Sequence, residues 1–353
     1  MKNTRIVRED VDNIINFCNS DFLIKKLKNK SILITGAGGM IGSYLVYTMI
    51  RLNELYNTNI KIICLLRNKK KLDKCILNNS NVVILEQDIC LPIIYEGDVN
   101  YVVHAASPAS PKIMRDKPVE TNFANTIGTA NTLIFSKNKN VDGYLFISSR
   151  EIYGEPNPGQ EIFSEDGILG QVNPLIPRNG YAEGKKAAEN MCVSFKEEYG
   201  INTKIARLAH TYGPGMSIYD GRVQADFLND VYHNRNIIMK SDGSSIRTYT
   251  YISDAINALL LILLKSSEIV YNVSDEKSMI SIRELAQTIL DICPEKKLQL
   301  IMDIPDDIDK GASSFKTGIL SSKKIREELK WFPMYSVKDG FRRTLEHIEL
   351  EEI

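Results

Sequence analysis

The chain has 353 residues, and its 44 lysine and arginine residues balance its 44 aspartate and glutamate residues. This balance excludes a global field that would recruit nucleic acid or an anionic membrane surface, so an anion must be bound locally. Six scattered cysteines without a C-x-x-C pair, a charged N-terminus and an apolar run no longer than residues 258–264 predict a cytoplasmic protein with free thiols, no metal site and no membrane span.

The first 29 residues precede any strand pattern. Their apolar positions, among them Val11, Ile14 and Phe22, suit one or two amphipathic helices. We therefore predict an N-terminal helical extension over residues 1–29 that packs on the outside of the core. Residues 31–35 then form an apolar run rich in β-branched side chains, which predicts a buried strand.

Glycines follow this strand at positions 36, 38, 39 and 42, before an apolar pattern typical of a helix. Strand, tight turn and helix in this order suit a dinucleotide, because bare backbone can approach a pyrophosphate and the helix N-terminus attracts the anion. Gly36, Gly39 and Gly42 have the spacing G-x-x-G-x-x-G rather than the G-x-G-x-x-G fingerprint. On its own, the turn is equally compatible with any tight connection between a strand and a helix.

A second buried strand is predicted over residues 60–66, and Arg67 follows it where a dinucleotide fold places its ribose-reading residue. An acidic side chain there would accept hydrogen bonds from the ribose, whereas Arg67 could pair with a 2′-phosphate. Arg67 therefore favours NADP over NAD, unless the side chain only stacks or faces water.

Further strands are predicted over residues 82–85, 101–106 and 144–148, with a helix over residues 122–135. Strands that alternate with helical patterns indicate an α/β fold with a parallel sheet covered on both faces, whose C-terminal edge holds the ligand. Small residues at that edge would let a cofactor lie close to it, although they could equally serve compact packing. These residues are Ala105, Ala106 and Ser107.

Tyr181 and Lys185 are four residues apart on a predicted helix that ends at Gly200, so they share one helix face. A phenol titrates at about 10, and a tyrosine base therefore needs a nearby cation and a hydrogen-bonding partner that favour its phenolate. Lys185 and Ser149, which ends the strand of residues 144–148, are the candidates for these roles. A tyrosine and a lysine at this spacing are common on helices. The catalytic interpretation is strengthened because the serine-ended strand and the glycine turn occur in the order that a nicotinamide site requires.

This combination resembles the extended short-chain dehydrogenases/reductases, in the nucleotide-sugar epimerase/dehydratase family. The likeness runs from about residue 30 to the C-terminus. Longer motifs are similar to those of UDP-glucuronate decarboxylases: His104-Ala-Ala-Ser-Pro-Ala-Ser-Pro111, Asn125-Thr-Ile-Gly-Thr129, Asn173-Pro-x-x-Pro-Arg178, Tyr181-x-Glu-Gly-Lys185 and Asp220-Gly-Arg-Val223.

The resemblance implies a Rossmann-type doubly wound parallel sheet over residues 30–212, followed by a smaller substrate-binding lobe over residues 213–353, of which about 246–273 returns to the main domain. It also implies a homodimer, formed through the outer stripe of the helix that bears Tyr181, although the same residues could face a helix of the same chain. The residues implied to bind NAD or NADP are Gly36, Gly39, Met40, Ile41, Gly42, Arg67, Asp88, Ile89, Ala105, Ala106, Ser107, Asn125, Tyr181 and Lys185. Those implied to bind a nucleotide-sugar substrate are Ser107, Arg150, Glu151, Arg178, His210, Arg222 and Arg247.

The mechanism implied by the resemblance uses one retained cofactor twice. Tyr181, assisted by Lys185, takes the proton of the sugar 4-hydroxyl while C4 is oxidised; the resulting ketone makes loss of the C6 carboxylate easy, and hydride then returns. By the same pattern Ser149 and Glu151 complete the set of catalytic residues and orient the substrate near its carboxylate, and Arg247 donates a proton to C5 or binds phosphate. Glu151 could instead only pair with Arg150 or with neighbouring backbone.

Three positions depart from the decarboxylase pattern: Arg67 replaces an acidic residue, His210 an asparagine, and Gly215 an arginine. Arg150 also occupies a position that is usually small, and it is itself a candidate ligand for a carboxylate or a phosphate. These departures keep a second function open, a 4-keto reductase, 4-dehydrogenase or epimerase acting on another nucleotide sugar. A third possibility is a catalytically idle dinucleotide-binding regulator.

In the C-terminal region, residues 246–254 and a strand near residues 269–273 are predicted to return to the main sheet. Ser281-Ile-Arg-Glu284 predicts a capping box at the start of a helix, with Ile280 and Leu285 as a hydrophobic staple. Ser336 is predicted to start another helix.

Overall fold

The computed structural model describes residues 1–157, 159–160, 162–167, 170, 172–304 and 319–351. Part of the predicted substrate-binding lobe, residues 305–318 and 352–353, lies outside them. The helices are α1 Arg5–Cys18, α2 Ser20–Leu27, α3 Met40–Tyr56, α4 Lys74–Leu77, α5 Pro111–Asp116, α6 Pro118–Lys139, α7 Gly180–Tyr199, α8 Val223–Tyr232, α9 Ile252–Lys265, α10 Ile282–Leu290, α11 Lys323–Leu329 and α12 Val337–Glu351.

The strands are mostly short, and the longer ones lie in the first three quarters of the chain. They are β1 Ser31–Thr35, β2 Lys61–Leu66, β3 Val82–Glu86, β4 Tyr101–His104, β5 Gly143–Ser149, β6 Ile162–Phe163, β7 Thr203–Leu208, β8 His210–Tyr212, β9 Ile237–Met239, β10 Ile246–Arg247, β11 Tyr249–Tyr251, β12 Val270–Val273, β13 Ile280–Ser281, β14 Leu300–Met302 and β15 Ile319–Leu320.

Seven parallel strands form the central sheet in the order β12-β7-β5-β4-β1-β2-β3. Alternate residues of β1 face opposite sides: Ile32 and Ile34 join a core with α1, α3 and α9, while Leu33 joins a core with α6 and α7. Helices on both faces explain why the strands are apolar throughout. The predicted Rossmann-type α/β fold is therefore confirmed.

The strand order reverses between β1 and its neighbour β4, because β2 and β3 extend the sheet in one direction and β4, β5 and β7 in the other. A crevice at the carboxyl ends of the strands is the usual ligand site at such a switch point. Strand β4 ends at His104, earlier than predicted, because the backbone N–H groups of Ala105 and Ala106 turn to the Thr35 hydroxyl at 3.2 and 3.1 Å.

The return of the chain to the main sheet is confirmed for β12 and wrong for residues 246–254. Strand β12 pairs with β7 at the sheet edge, whereas β10 pairs with β13 and β11 pairs with β8 in separate two-stranded sheets. Tyr251 is followed directly by the strongly apolar helix α9, so these residues end as a helix cap and do not extend the sheet. The capping box at Ser281 is present as predicted and starts α10.

A buried ionic cluster ties α1 to the rest of the chain. Asp10 is fully buried, and its carboxylate accepts hydrogen bonds from Tyr44 of α3 at 2.7 Å, from Tyr251 at 2.8 Å and from Arg343 of α12 at 2.7 Å. A buried charge is costly unless it is paired and hydrogen-bonded, and Asp10 meets both conditions. Segments from both ends of the sequence are thereby fixed against α3.

Candidate active site

The glycine turn connects β1 to α3 at the switch point of the sheet. Gly36 has φ +68°, and a Cβ atom there would lie 2.9 Å from the backbone of Ala105 and Ala106. A Cβ atom on Gly42 would lie 2.3 Å from the carbonyl oxygen of Gly36, so α3 can pack on the turn only with glycine at that position. Both glycines thus bring three segments of backbone close together.

The N-terminus of α3 borders a long cleft. Gly39 is the N-cap, and no side chain of the described residues caps this end of the helix. Met40, Ile41 and Gly42, the first residues of α3, line the cleft. Uncapped N–H groups and the helix dipole favour an anion at this place, so the turn fits the diphosphate of a dinucleotide.

The cleft consists of two adjoining cavities of about 600 and 1130 Å³, which share Gly36, Gly39, Ala105 and Ser107. The larger cavity continues past the end of β2 and is lined by Arg67, Asp88 and Ile89 among others. The smaller one contains the predicted catalytic residues. Their shared wall is the glycine turn and the chain after β4, where a dinucleotide would cross from one to the other.

Tyr181, Lys185 and Ser149 meet in the smaller cavity. Tyr181 is buried on α7, and this burial raises the pKa of its phenol to about 12, against the effect of a hydrogen bond with Ser149. The Lys185 ammonium lies 5.7 Å from the centroid of the Tyr181 ring and donates to the carbonyl oxygen of Ile147 at 2.7 Å. The structure thus brings together three of the four residues predicted to be catalytic, and the fourth, Glu151, lines the same cavity.

Burial lowers the pKa of Lys185 to about 7, and the carboxylate of Glu189, one helical turn further along α7, opposes this effect. Glu189 itself accepts hydrogen bonds from Ser148 at 2.5 Å and from Arg207 at 2.7 Å, and Arg207 donates to the Tyr153 hydroxyl at 2.7 Å. This network of half-buried and buried polar groups fixes α7 against β5 and β7. Sequence analysis missed it, because the hydrogen-bonded pairs lie up to 54 positions apart.

Four arginines line the smaller cavity: Arg150, Arg178, Arg222 and Arg247. Glu151 lies 3.4 Å from the Arg150 guanidinium and 3.7 Å from that of Arg178, and Asp220 lies 3.6 Å from that of Arg222. Three of these guanidinium groups share the two carboxylates, so among the described residues the cavity has a local excess of positive charge, although the whole chain is neutral. The cavity therefore favours an anionic ligand.

His210, the first residue of β8, lies among these cations. Burial lowers the pKa of its imidazole well below the usual value, and Arg150, Arg247 and Arg222 lower it further. Its Nδ1 atom is 3.2 Å from the carbonyl oxygen of Thr248, which can only accept a hydrogen bond. The ring is therefore neutral with its proton on Nδ1, and its Nε2 atom is an acceptor.

His104, which the decarboxylase-like motif begins with, is fully buried beneath the cleft. Its Nδ1 atom is 2.8 Å from the Thr35 hydroxyl, and burial lowers its pKa to about 3, with a further contribution from Lys185. It is thus a neutral residue that shapes the chain after β4. Asn125 is likewise buried: it accepts a hydrogen bond from Ser107 at 2.8 Å and donates to the carbonyl oxygen of Thr121. Its direct contact with a cofactor stays a prediction.

Arg67 lies at the far end of the cleft, where its guanidinium forms an ion pair with Glu120 of α6. Glu120 also lies 3.4 Å from the Lys117 ammonium. Asn68 and Lys71, which follow Arg67 in the sequence and are expected with it to pair with a 2′-phosphate, line the same cavity. Gln87 also lines it, and sequence analysis did not single it out as a ligand.

Gln224 is a further residue that sequence analysis missed. It is 2% exposed, lines the smaller cavity near Arg222, and its side-chain nitrogen has no hydrogen-bond partner among the described residues. Arg150 Nε has the same property. Both atoms are buried donors, and buried donors are normally paired, so they point to an acceptor-rich ligand. The only sequence signal for Gln224 is its place directly after the Asp220-Gly-Arg-Val223 motif.

Among the helices that the structure describes, none has both the length and the apolar character that a bilayer crossing requires. In the same residues there is no group of three or more metal-ligating side chains.

Comparison with known proteins agrees with this geometry. Residues 32–274 match the family described as NAD dependent epimerase/dehydratase. UDP-glucuronic acid decarboxylase 6 of Arabidopsis thaliana is 30% identical over 315 residues, which are 88% of this chain and 87% of the plant protein. UDP-glucuronic acid decarboxylase 1 of Danio rerio is 29% identical over 94% of this chain and 75% of its own length. The crystal structure of UDP-glucose 4-epimerase from Thermotoga maritima with UDP-glucose is similar in fold, with a TM-score of 0.75 at 24% identity over 92% of this chain and 100% of that chain.

Proposed function

This chain belongs to the NAD dependent epimerase/dehydratase family, and from that membership we propose that it oxidises a nucleotide sugar at C4 and decarboxylates it, as a UDP-glucuronate decarboxylase does. The observation that carries the proposal is the meeting of Ser149, Tyr181 and Lys185 in a cavity with four arginines. The three residues supply acid–base chemistry, and the arginines supply binding for a diphosphate and a carboxylate.

In this proposal Tyr181 is the general base for the sugar 4-hydroxyl. Its phenol is protonated in the ligand-free cavity, so it needs additional positive charge nearby to act as a base at neutral pH. A bound nicotinamide in its oxidised form brings such a charge and accepts hydride from C4. Lys185 contributes when it is charged, and its pKa of about 7 lets it gain and lose a proton in the working range. Ser149 orients the phenol and the hydroxyl.

Oxidation at C4 places the C6 carboxylate β to a ketone. Loss of carbon dioxide then leaves an enolate, which the cavity can stabilise through its guanidinium groups. Arg247 is the candidate that returns a proton to C5 or holds the diphosphate, and Glu151 orients the substrate near its carboxylate.

A second candidate function is a reaction that leaves the carboxyl carbon in place, such as C4 epimerisation or 4-keto formation or reduction. Two observations favour it: a guanidinium directly after Ser149 and a neutral imidazole at position 210 among three arginines. The reaction of a relative therefore does not transfer automatically to this cavity.

We also propose NADP as the preferred cofactor, on the strength of Arg67. A 2′-phosphate could replace Glu120 as its partner, because Lys117 lies close enough to keep Glu120 paired. The neighbouring Lys71 lines the same cavity and adds positive charge.

We further propose a homodimer through α6 and α7. Large apolar side chains are exposed on these adjacent helices: Phe123, Ile127 and Ile134 on α6 and Val193 on α7. An apolar surface of this kind is typical of a face covered by a partner.

The test of the main proposal is incubation of the purified protein with UDP-glucuronate and NADP or NAD, followed by measurement of carbon dioxide and of the sugar product. Carbon dioxide with a pentose product supports decarboxylation. A six-carbon acid altered at C4 selects the second candidate. Binding without turnover across a panel of nucleotide sugars, unchanged in Tyr181→Phe, would leave only a regulator that binds dinucleotides.

A further inference from the structure

Arg150 places a buried hydrogen-bond donor in the wall of the smaller cavity. Its side chain is 14% exposed, and its Nε atom is buried without a hydrogen-bond partner among the described residues. Burial lowers the pKa of its guanidinium, and Arg247 and Arg178 lower it further against the opposing effect of Glu151. A buried hydrogen-bond donor on a cavity wall, close to other positive charges, indicates an anionic ligand.

Glu151 does not fully meet this need. Its carboxylate is 31% exposed and is shared between Arg150 at 3.4 Å and Arg178 at 3.7 Å, which are both long contacts for a charge-assisted hydrogen bond. One loosely held carboxylate between two guanidinium groups leaves hydrogen-bonding capacity on Arg150 for a second anion.

The position of Arg150 indicates which anion this is. Arg150 lines the same cavity as Tyr181 and lies 3.4 Å from Glu151, whose charge acts on the Tyr181 phenol, so its guanidinium lies toward the end of the cavity where the sugar C4 reacts. The diphosphate of a nucleotide sugar is attached to C1, on the opposite side of the ring from C4. A carboxylate on C5 is adjacent to C4. An anion site beside the phenol therefore suits the carboxylate of a uronate.

We infer that Arg150 binds the C6 carboxylate of the substrate and slows its loss as carbon dioxide. The inference rests on the proposed oxidation of a nucleotide-linked uronate at C4. In the decarboxylation step the C5–C6 bond breaks, its electron pair moves to C5 and onto the C4 oxygen as an enolate, and carbon dioxide leaves without charge; a proton then adds to C5.

Negative charge leaves the carboxylate during this step, so its ion pair with Arg150 is stronger in the reactant than in the transition state. An interaction of that kind raises the barrier. Arg150 thus shifts the outcome away from decarboxylation, the main proposal, and toward return of hydride to the intact 4-keto uronate, the second candidate, so it is a specificity-determining residue for the outcome of the reaction.

The test compares wild type with Arg150→Ser, which removes the guanidinium, and with Arg150→Gln, which keeps the length and a donor without charge. Calorimetry measures binding of UDP-glucuronate and of UDP-glucose, which differ only at C6. We expect affinity for UDP-glucuronate to fall at least about tenfold in both variants, with less than about a twofold change for UDP-glucose. We also expect the ratio of carbon dioxide to six-carbon products to rise at least about tenfold.

Arg178→Ser is the matched control, because Arg178 contacts the same Glu151 from a half-exposed position. This substitution should change the affinities for UDP-glucuronate and UDP-glucose by similar factors. The inference would be overturned if the Arg150 variants lost affinity equally for UDP-glucuronate and UDP-glucose. It would also be overturned if the ratio of carbon dioxide to six-carbon products stayed level or fell. If neither wild type nor any variant oxidises UDP-glucuronate, the proposed function fails. The difference between the changes in affinity for UDP-glucuronate and for UDP-glucose still decides whether Arg150 binds the carboxylate. Thermal unfolding of each variant identifies one that does not fold, and the other Arg150 variant then decides.

Discussion

Replacement of Lys185 by methionine is expected to stabilise the folded protein while it abolishes turnover. Lys185 is 3% exposed, and burial lowers the pKa of its ammonium from 10.5 to about 7. At about 1.4 kcal/mol per pH unit, this difference corresponds to about 5 kcal/mol that burial of the lysine costs at pH 7. Methionine has a similar length and carries no charge, so it removes this cost.

Part of the gain is lost with the hydrogen bond from the Lys185 ammonium to the Ile147 carbonyl oxygen. An unpaired buried carbonyl group costs about 1–3 kcal/mol. The free energy of unfolding should therefore rise by about 2–4 kcal/mol at pH 7, the balance of these two effects.

The pH dependence provides the sharper test. Between pH 7 and 10.5 the unfolded chain binds a proton at Lys185 that the folded chain does not, so wild-type stability rises with pH across this range. Lys185→Met lacks that contribution. Its advantage over wild type should be larger at pH 7 than at about pH 9.5, when both proteins are unfolded by denaturant, because the cost of the buried lysine falls as pH rises from its folded pKa toward its unfolded pKa.

Lys186→Met serves as the control for this measurement. Lys186 is the next residue along α7, and its ammonium lies 3.1 Å from Glu183 in a partly exposed ion pair. Loss of such a pair should change stability by less than about 1 kcal/mol at either pH. The reasoning is refuted if Lys185→Met is less stable than wild type at pH 7, or if its advantage does not narrow toward pH 9.5.

Tyr181→Phe should lower kcat by at least about 100-fold with little change in binding of the nucleotide sugar by calorimetry, because the ring remains and only the base is lost; equal losses in both would point to a structural role. Arg67→Asp should reverse a preference for NADP over NAD in fluorescence titrations, and an unchanged ratio of affinities would contradict the NADP proposal. Phe123→Asp should convert the dimer to monomer in sedimentation experiments, whereas an unchanged mass would place any interface elsewhere. Asp10→Asn should lower the free energy of unfolding by about 3 kcal/mol, because Arg343 loses its buried counter-charge; a loss below about 1 kcal/mol in urea denaturation would show that water or other groups take over.

Features that depend on neighbouring residues in the sequence were predictable. The β1 strand, the end of α7 at Gly200 and the capping box at Ser281 each have a signal within a few positions. The fold class followed from the alternation of such local signals, and the resemblance of motifs then connected Ser149 with Tyr181 across 32 positions of sequence.

Features that depend on tertiary contacts were not predictable. The ion pair of Arg67 with Glu120 joins residues 53 positions apart, and neither side chain carries a local sign of the other. The pairing of β10 with β13 is similar, because two-residue strands have too few side chains to define a pattern. Gln224 carries no local signal of a ligand role, and only its burial beside the cavity shows that its side-chain nitrogen has no partner within the described part of the chain.

The buried ionic cluster around Asp10, which includes residues of α3 and α12 and Tyr251, has a consequence for the design of recombinant fragments. The family match covers residues 32–274, and a clone trimmed to those limits would lose Asp10 and Arg343 together. It would also uncover the apolar surfaces of α3 and α9 on which α1 packs. Such a fragment is expected to precipitate on expression, and the smallest stable unit includes both flanking helices.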